Sequence, residues 1–146
     1  MREIVFRAKR LDNGEWVEGY YGKKEIPTIR HFIMKAELLS QQDIQIFVDY
    51  EVDPDTVSQY TGLKDKNGKM IFEGDIIKTH HFKFNKNNEY AHYEKIGVIE
   101  LSNSYEFGYR LRWKKGHMML HNSMQIECKM DGEIIGNIID NPELLN

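Results

Sequence analysis

Apolar and polar residues alternate in short runs along most of this chain, and the runs are separated by reversal signals. Ile4, Phe6 and Ala8 fall on one side of a pleat. From Glu15 to Tyr21 the alternation resumes, with Trp16, Glu18 and Tyr20 opposed to Val17 and Gly19. Leu11-Asp12-Asn13-Gly14 lies between them, and Asn-Gly tolerates the positive φ of a tight turn. This pattern predicts a β-hairpin over residues 3–21, with Ile4, Phe6, Trp16 and Tyr20 as its covered face. Residues 23–43 are less regular. Phe32, Ile33, Ala36 and Leu39 are spaced almost as a helical stripe among good helix formers, so a short helix and a loop insertion both fit. Ile44 to Val52 reads as a strand with Ile44, Ile46, Val48, Tyr50 and Val52 on one face.

Asp53-Pro54-Asp55 interrupts the alternation, because proline fixes φ and aspartate accepts local backbone bonds. Thr56–Leu63 and Met70–Phe72 are strand-like around a second reversal, Asp65-Lys66-Asn67-Gly68. After Glu73-Gly74-Asp75 a strand is expected over Ile76–Phe84, then a polar loop over 85–95. Further short strands follow at Gly97–Leu101, Tyr109–Trp113, Met124–Cys128 and Ile134–Ile139. Asn141-Pro142-Glu143 has the composition of a helix start: a cap, a proline at the first position and an acid against the dipole. The fold class expected is mainly β: an antiparallel sheet or small SH3-like barrel with one or two short helices. Residues 1–146 form one domain, in which a hairpin lobe (1–52) and a barrel-like part (53–146) can be distinguished.

Composition narrows the function. Of 146 residues, 40% are hydrophobic and 29% charged, the balance of a globular protein that buries a core. The net charge of −3 exerts no global pull toward nucleic acid or anionic lipid. Cys128 is the one cysteine, which excludes an intramolecular disulfide and a cysteine-based zinc site within the chain. No window approaches the length of a membrane-spanning helix, and the charged N-terminus is unlike a signal peptide. A cytoplasmic protein is expected.

Three stretches resemble the YopX family: REIVFRAKRLDNGEWVEG (residues 2–19), VDPDTVSQYTGLKDKNGKMIFEGDIIK (52–78) and GNIIDNPELL (136–145). The resemblance implies a β-rich fold and a phage or prophage origin. It implies no reaction, since the shared residues are turn formers and aliphatics.

Glu51, Asp53, Asp55, Glu73 and Asp75 would suit a metal-dependent hydrolase, but their setting at a proline turn and a strand start suits backbone duty better. His80 and His81 are adjacent and face opposite ways on a strand. His117 and His121 are four apart without the acid of a zinc-protease motif. No catalytic, metal or cofactor residue is therefore assigned. The most suggestive chemistry is a charge imbalance: Lys78–His117 carries eight Lys or Arg against four Glu, net +4, leaving −7 elsewhere. Lys83, Arg110, Arg112, Trp113, Lys114 and Lys115 interleave bases with aromatics as single-strand binders do. The plainer reading puts Tyr109, Leu111 and Trp113 on the buried face of a strand and Arg110 and Arg112 on its wet face. The expectation is a non-enzymatic module binding a protein partner or a second copy of itself through sheet edges or the apolar residues 118–124. A single-stranded nucleic acid is the alternative partner.

Overall fold

In the computed structural model, residues 4–25, 27–39, 44–84, 90–102, 108–113, 116–119 and 132–146 are described. The alternation resolves into antiparallel β-ladders, and the chain divides inside a strand into two compact units, Met1–Tyr60 and Thr61–Asn146.

In the first unit, β1 (Phe6–Lys9) and β2 (Trp16–Lys24) form the hairpin, closed by Gly14 at φ +72°. Ala8 stands opposite Val17, and both are buried with Ile33 and Val52. Phe6, Tyr21, Tyr50 and Val57 complete this core. The covered face is thus the one bearing Phe6, Ala8 and Val17. Trp16 lies on the other face under the Arg7 guanidinium at 4.8 Å, and Ile4 and Tyr20 are exposed. Residue size does not decide the face: Trp16 and Tyr20 stand opposite the core, while the small Ala8 and Val17 pack tightly against Ile33 and Val52, with Phe6 and Tyr21 beside them. Gly19 shows the same tightness, since a Cβ there would collide with the Met34 carbonyl oxygen.

Residues 30–39 are neither helix nor loop. They form β3 (Arg30–Leu39), paired with β2 from Met34 to Arg30 and with β4 (Ile44–Glu51) from Phe32 to Leu39. Helix propensity differs by only about 0.7 kcal/mol per ordinary residue. A two-sided ladder that also buries Ile33 outweighs it. The strand order is β4-β3-β2-β1, with β1 also paired to the first residues of β5 (Ser58–Lys64). Arg10 bridges Val52, and Leu11 N–H donates to the Glu51 carbonyl at 3.0 Å. The Pro54–Thr56 3₁₀ turn follows. The Asp53 carboxylate accepts from Asp55 N–H, and the Thr56 hydroxyl donates to the Asp53 carbonyl while accepting from Lys9 N–H.

In the second unit, β6 (Met70–Phe72) lies beside β5 across the Asp65–Gly68 turn. The larger sheet has the order β10-β9-β8-β7-β11, from β7 (Asp75–Phe84), β8 (Tyr90–Ser102), β9 (Gly108–Trp113), β10 (Gly116–Met119) and β11 (Gly132–Asn137). Ile71, Ile77, Ile99 and Leu111 are fully buried, with Leu63 and Ile134 against them. Each such side chain contributes roughly 1.5–3 kcal/mol on burial. Gly97 is buried where a Cβ would press on the Arg112 carbonyl.

Several boundaries move. β8 begins at Tyr90, so 90–95 is strand rather than loop, because its backbone continues the ladder to Phe84. β11 begins two residues early and carries an irregularity between Ile134 and Gly136. The described strands make open sheets and do not close into an SH3-like barrel: β10 and β11 stand at opposite ends of their sheet. Among the described residues the two short helices are single 3₁₀ turns rather than α-helices, and the last spans Pro142–Leu145. Asn141 does not cap that turn through its side chain. Its side-chain Oδ1 instead accepts from Asn137 N–H, behind it. The strand expected at 124–128, with Cys128, lies outside the described residues.

Candidate functional site

The basic strand behaves as period two requires. Leu111 is buried, and Arg110 and Arg112 point together to the opposite face. Both converge on one carboxylate. Arg110 Nε donates to Glu100 Oε1 at 2.7 Å, and Arg112 Nε to Oε2 at 2.8 Å. Burial pushes the Glu100 carboxyl up, but the two guanidiniums outweigh it and hold it below the usual range. A glutamate on the neighbouring strand therefore already answers the two bases. Trp113 and Lys83 belong to β9 and β7, but their side chains lie outside the described set, as do Tyr109 and residues Lys114 and Lys115 altogether. Of the six, Arg110 and Arg112 have described side chains, and these two converge on Glu100.

Three of the five acids are likewise engaged, Glu51 by Arg30 at 3.5 Å. Asp53 serves Asp55 N–H, and buried Asp75 accepts from Phe72 N–H at 2.8 Å. His80 Nδ1 lies 3.1 Å from His92 Nε2 with the rings stacked, and Glu94 binds Lys78 at 2.9 Å. The Lys78 hydrogen bond lowers the Glu94 pKa. Among the described residues no three His, Cys, Asp or Glu converge as a metal site. His117 sits in a strand, so it forms no helical i, i+4 pair. His121 is outside the described residues, as is the 120–124 part of the apolar stretch; the side chains of Met118 and Met119 are too.

A shallow depression of about 450 Å³ in the first unit is lined by Arg10, Leu11, Asp12, Asp49, Tyr50 and Glu51. Arg10 lies over the Tyr50 ring at 4.3 Å and forks onto Asp12, while Tyr50 donates to Glu37 at 2.5 Å. That bond, with burial, raises the Tyr50 pKa. These groups are mutually satisfied, and none is poised as a nucleophile.

What is unsatisfied is apolar. On one face of the β3–β4 hairpin Met34 stands opposite Tyr20 and Ala36 opposite Phe47, with Leu38 beyond. Phe47 is 62% exposed, Leu38 70% and Tyr20 56%, and on the other face Ile44 is 47% exposed. Closer to the hairpin base the same face is polar: Lys24 and Arg30 cover Phe32 and pair with Asp49 and Glu51. The strip thus has an apolar distal part and a salt-bridged proximal part. Sequence reasoning passed over Phe47 because attention went to the inward set of β4. Its signal was legible as an aromatic on the wet side of an alternating strand, between Gln45 and Asp49.

The fold is similar to the crystal structure of protein EF1440 from Enterococcus faecalis, at 23% identity and a TM-score of 0.54, with all of both chains covered. No curated protein matches the chain. No helix among the described residues is long and apolar enough to cross a membrane. The family model described as YopX protein matches residues 5–146, and the chain accordingly belongs to the YopX family.

Proposed function

We propose that this protein is a non-enzymatic accessory protein of a phage or prophage that works in the cytoplasm by binding another protein through the distal β3–β4 hairpin. The observation that carries the reading is the apolar strip of Met34, Leu38, Phe47 and Tyr20 on an edge hairpin. Exposed large apolar side chains occurring singly are ordinary; a contiguous set on a sheet edge is the composition of an interface core. The polar groups nearby support this, because Lys24–Asp49 and Arg30–Glu51 form the satisfied rim such a surface requires. The nucleic-acid alternative is weakened by Glu100, which neutralises half of the Arg110–Arg112 charge.

A photo-crosslinking side chain at Phe47, with Ile139 of the second unit as an exposed control, tests the proposal in cells producing the chain. A discrete adduct from position 47 and none from 139 is expected. No adduct from position 47 would remove the reading.

A further inference from the structure

The free edge of β4 carries a pattern that narrows the partner. Val52 N–H donates to the His31 carbonyl. Antiparallel ladders alternate, so residues 44, 46, 48 and 50 turn their backbone groups toward β3, and Gln45, Phe47, Asp49 and Glu51 turn theirs outward. Glu51 is already answered by Leu11 N–H. Among the described residues no strand faces the other three, since β4 ends the strand order. Three consecutive outward rungs centred on Phe47 remain.

We propose that a second copy of this chain fills this edge, its β4 running antiparallel to the first about a two-fold axis at Phe47. This rests on the protein-binding reading above and names its partner. An isologous contact must match a strand with itself, and a two-fold normal to the sheet keeps each face on its own side. With Phe47 opposite Phe47, Gln45 falls opposite Asp49, Ile46 opposite Val48 and Ile44 opposite Tyr50. All three outward rungs form backbone pairs, six hydrogen bonds across the axis, and within residues 44–50 of the described strand no two acids meet. Shifting the axis to Val48 sets Phe47 against Asp49 and Gln45 against Glu51, whose carbonyl is occupied. Shifting it to Ile46 leaves Asp49 unpaired within the described strand. Only the Phe47 register joins apolar to apolar on both faces, which is how cross-strand pairs stabilise a sheet. The Leu11–Glu51 bond stops the pairing at the hairpin base, so the edge cannot extend into an open polymer from that side.

The test uses the full chain with Cys128 replaced by serine, so that added thiols are the only ones. Directly opposed residues of a hydrogen-bonded pair have Cα atoms about 5.5 Å apart, within disulfide range. Phe47→Cys is expected to form a covalent dimer on mild oxidation. Gln45→Cys alone is expected to give no covalent dimer, its symmetry mate lying four residues away along the strand, and Gln45→Cys with Asp49→Cys to cross-link. Sedimentation of the unmodified chain should show a dimer, and Phe47→Asp should weaken it about a hundredfold by setting two acids on the axis and removing an aromatic pair. Phe47 is exposed, so circular dichroism should be unchanged by that substitution. A chain that sediments as a monomer at high concentration, or a dimer in which Gln45→Cys cross-links as readily as Phe47→Cys, overturns the proposal. A monomer that still gives a heterologous photo-adduct at position 47 would sink this inference while leaving the protein-binding reading intact.

Discussion

Asp65→Ala is expected to be the most damaging single polar substitution in the second unit. The carboxylate is 2% exposed and accepts from three backbone amides: Asn67 at 2.8 Å, Lys69 at 2.9 Å and Ile134 at 3.2 Å. The first two hold the turn between β5 and β6, and the third ties that turn to β11, 69 positions along the chain. A hydrogen bond to a charged group contributes about 1.5–3 kcal/mol net, and a buried donor left alone costs about 1–3 kcal/mol. The turn amides of Asn67 and Lys69 can regain water because those residues are exposed. The loss should therefore fall well short of three full bonds, at roughly 3–4 kcal/mol. Asp65→Asn keeps one acceptor for the turn but sets an amide donor beside Ile134 N–H; roughly 2 kcal/mol is expected. The pH dependence has a definite sign. Burial pushes this carboxyl up, but the Lys69, Ile134 and Asn67 amides outweigh burial, and the folded pKa lies below the unfolded one. Its stabilisation is thus full above the unfolded value near 3.9 and is lost as pH falls through the lower folded value. Urea melts of the second-unit signal at pH 7 and pH 3, together with amide exchange at Ile134, measure both effects. A wild-type-like midpoint for Asp65→Ala, with Ile134 still protected, would refute the reasoning.

Other expectations follow from the same contacts. Gly19→Ala should destabilise the first unit by about 1–3 kcal/mol, since the new Cβ meets the Met34 carbonyl; thermal melting reads it. Thr56→Val should cost about 1–2 kcal/mol by orphaning Lys9 N–H, and the exchange rate of that amide should rise. Glu100→Gln should change stability by under about 1 kcal/mol, as its two arginines are partly solvated. Wild-type protein should show no salt-sensitive binding of single-stranded DNA by anisotropy. Binding that Arg110→Ala weakens would shift the reading to nucleic acid.

Local signals were legible where one residue type meets a backbone demand that few others meet. The Asn-Gly corners are the plainest case: Gly14 and Gly68 both take positive φ, and Gly74 does so in the Glu73-Gly74-Asp75 reversal. Asp53 was legible as a turn acid for the same reason. β3 was not, because FIMKAELL has helix-forming composition and its strand identity is conferred by partners on both sides. The first half of β8 was hidden differently. Lys95, Glu94 and His92 carry no apolar alternation, and the ladder to β7 alone makes them strand. The reach of Asp65 to Ile134 has no local signature at all.

The candidate surface is only half visible along the chain for the same physical cause. The basic-aromatic run attracts notice because charge and aromatic content can be counted along a chain, yet its two arginines face a carboxylate ten and twelve residues away in sequence. Counting bases cannot reveal an acid on the neighbouring strand. Phe47 is the converse case: one apolar residue out of phase changes no composition statistic. It acquires meaning only when β4 proves to be an edge, Ala36 lies beside it, and its backbone groups face outward. An interior strand would have offered that ring a neighbouring strand to lie against. On an edge, the ring and the unpaired rungs call for the same remedy, another strand, and this coincidence favours an added strand over a ligand that would cover the ring alone.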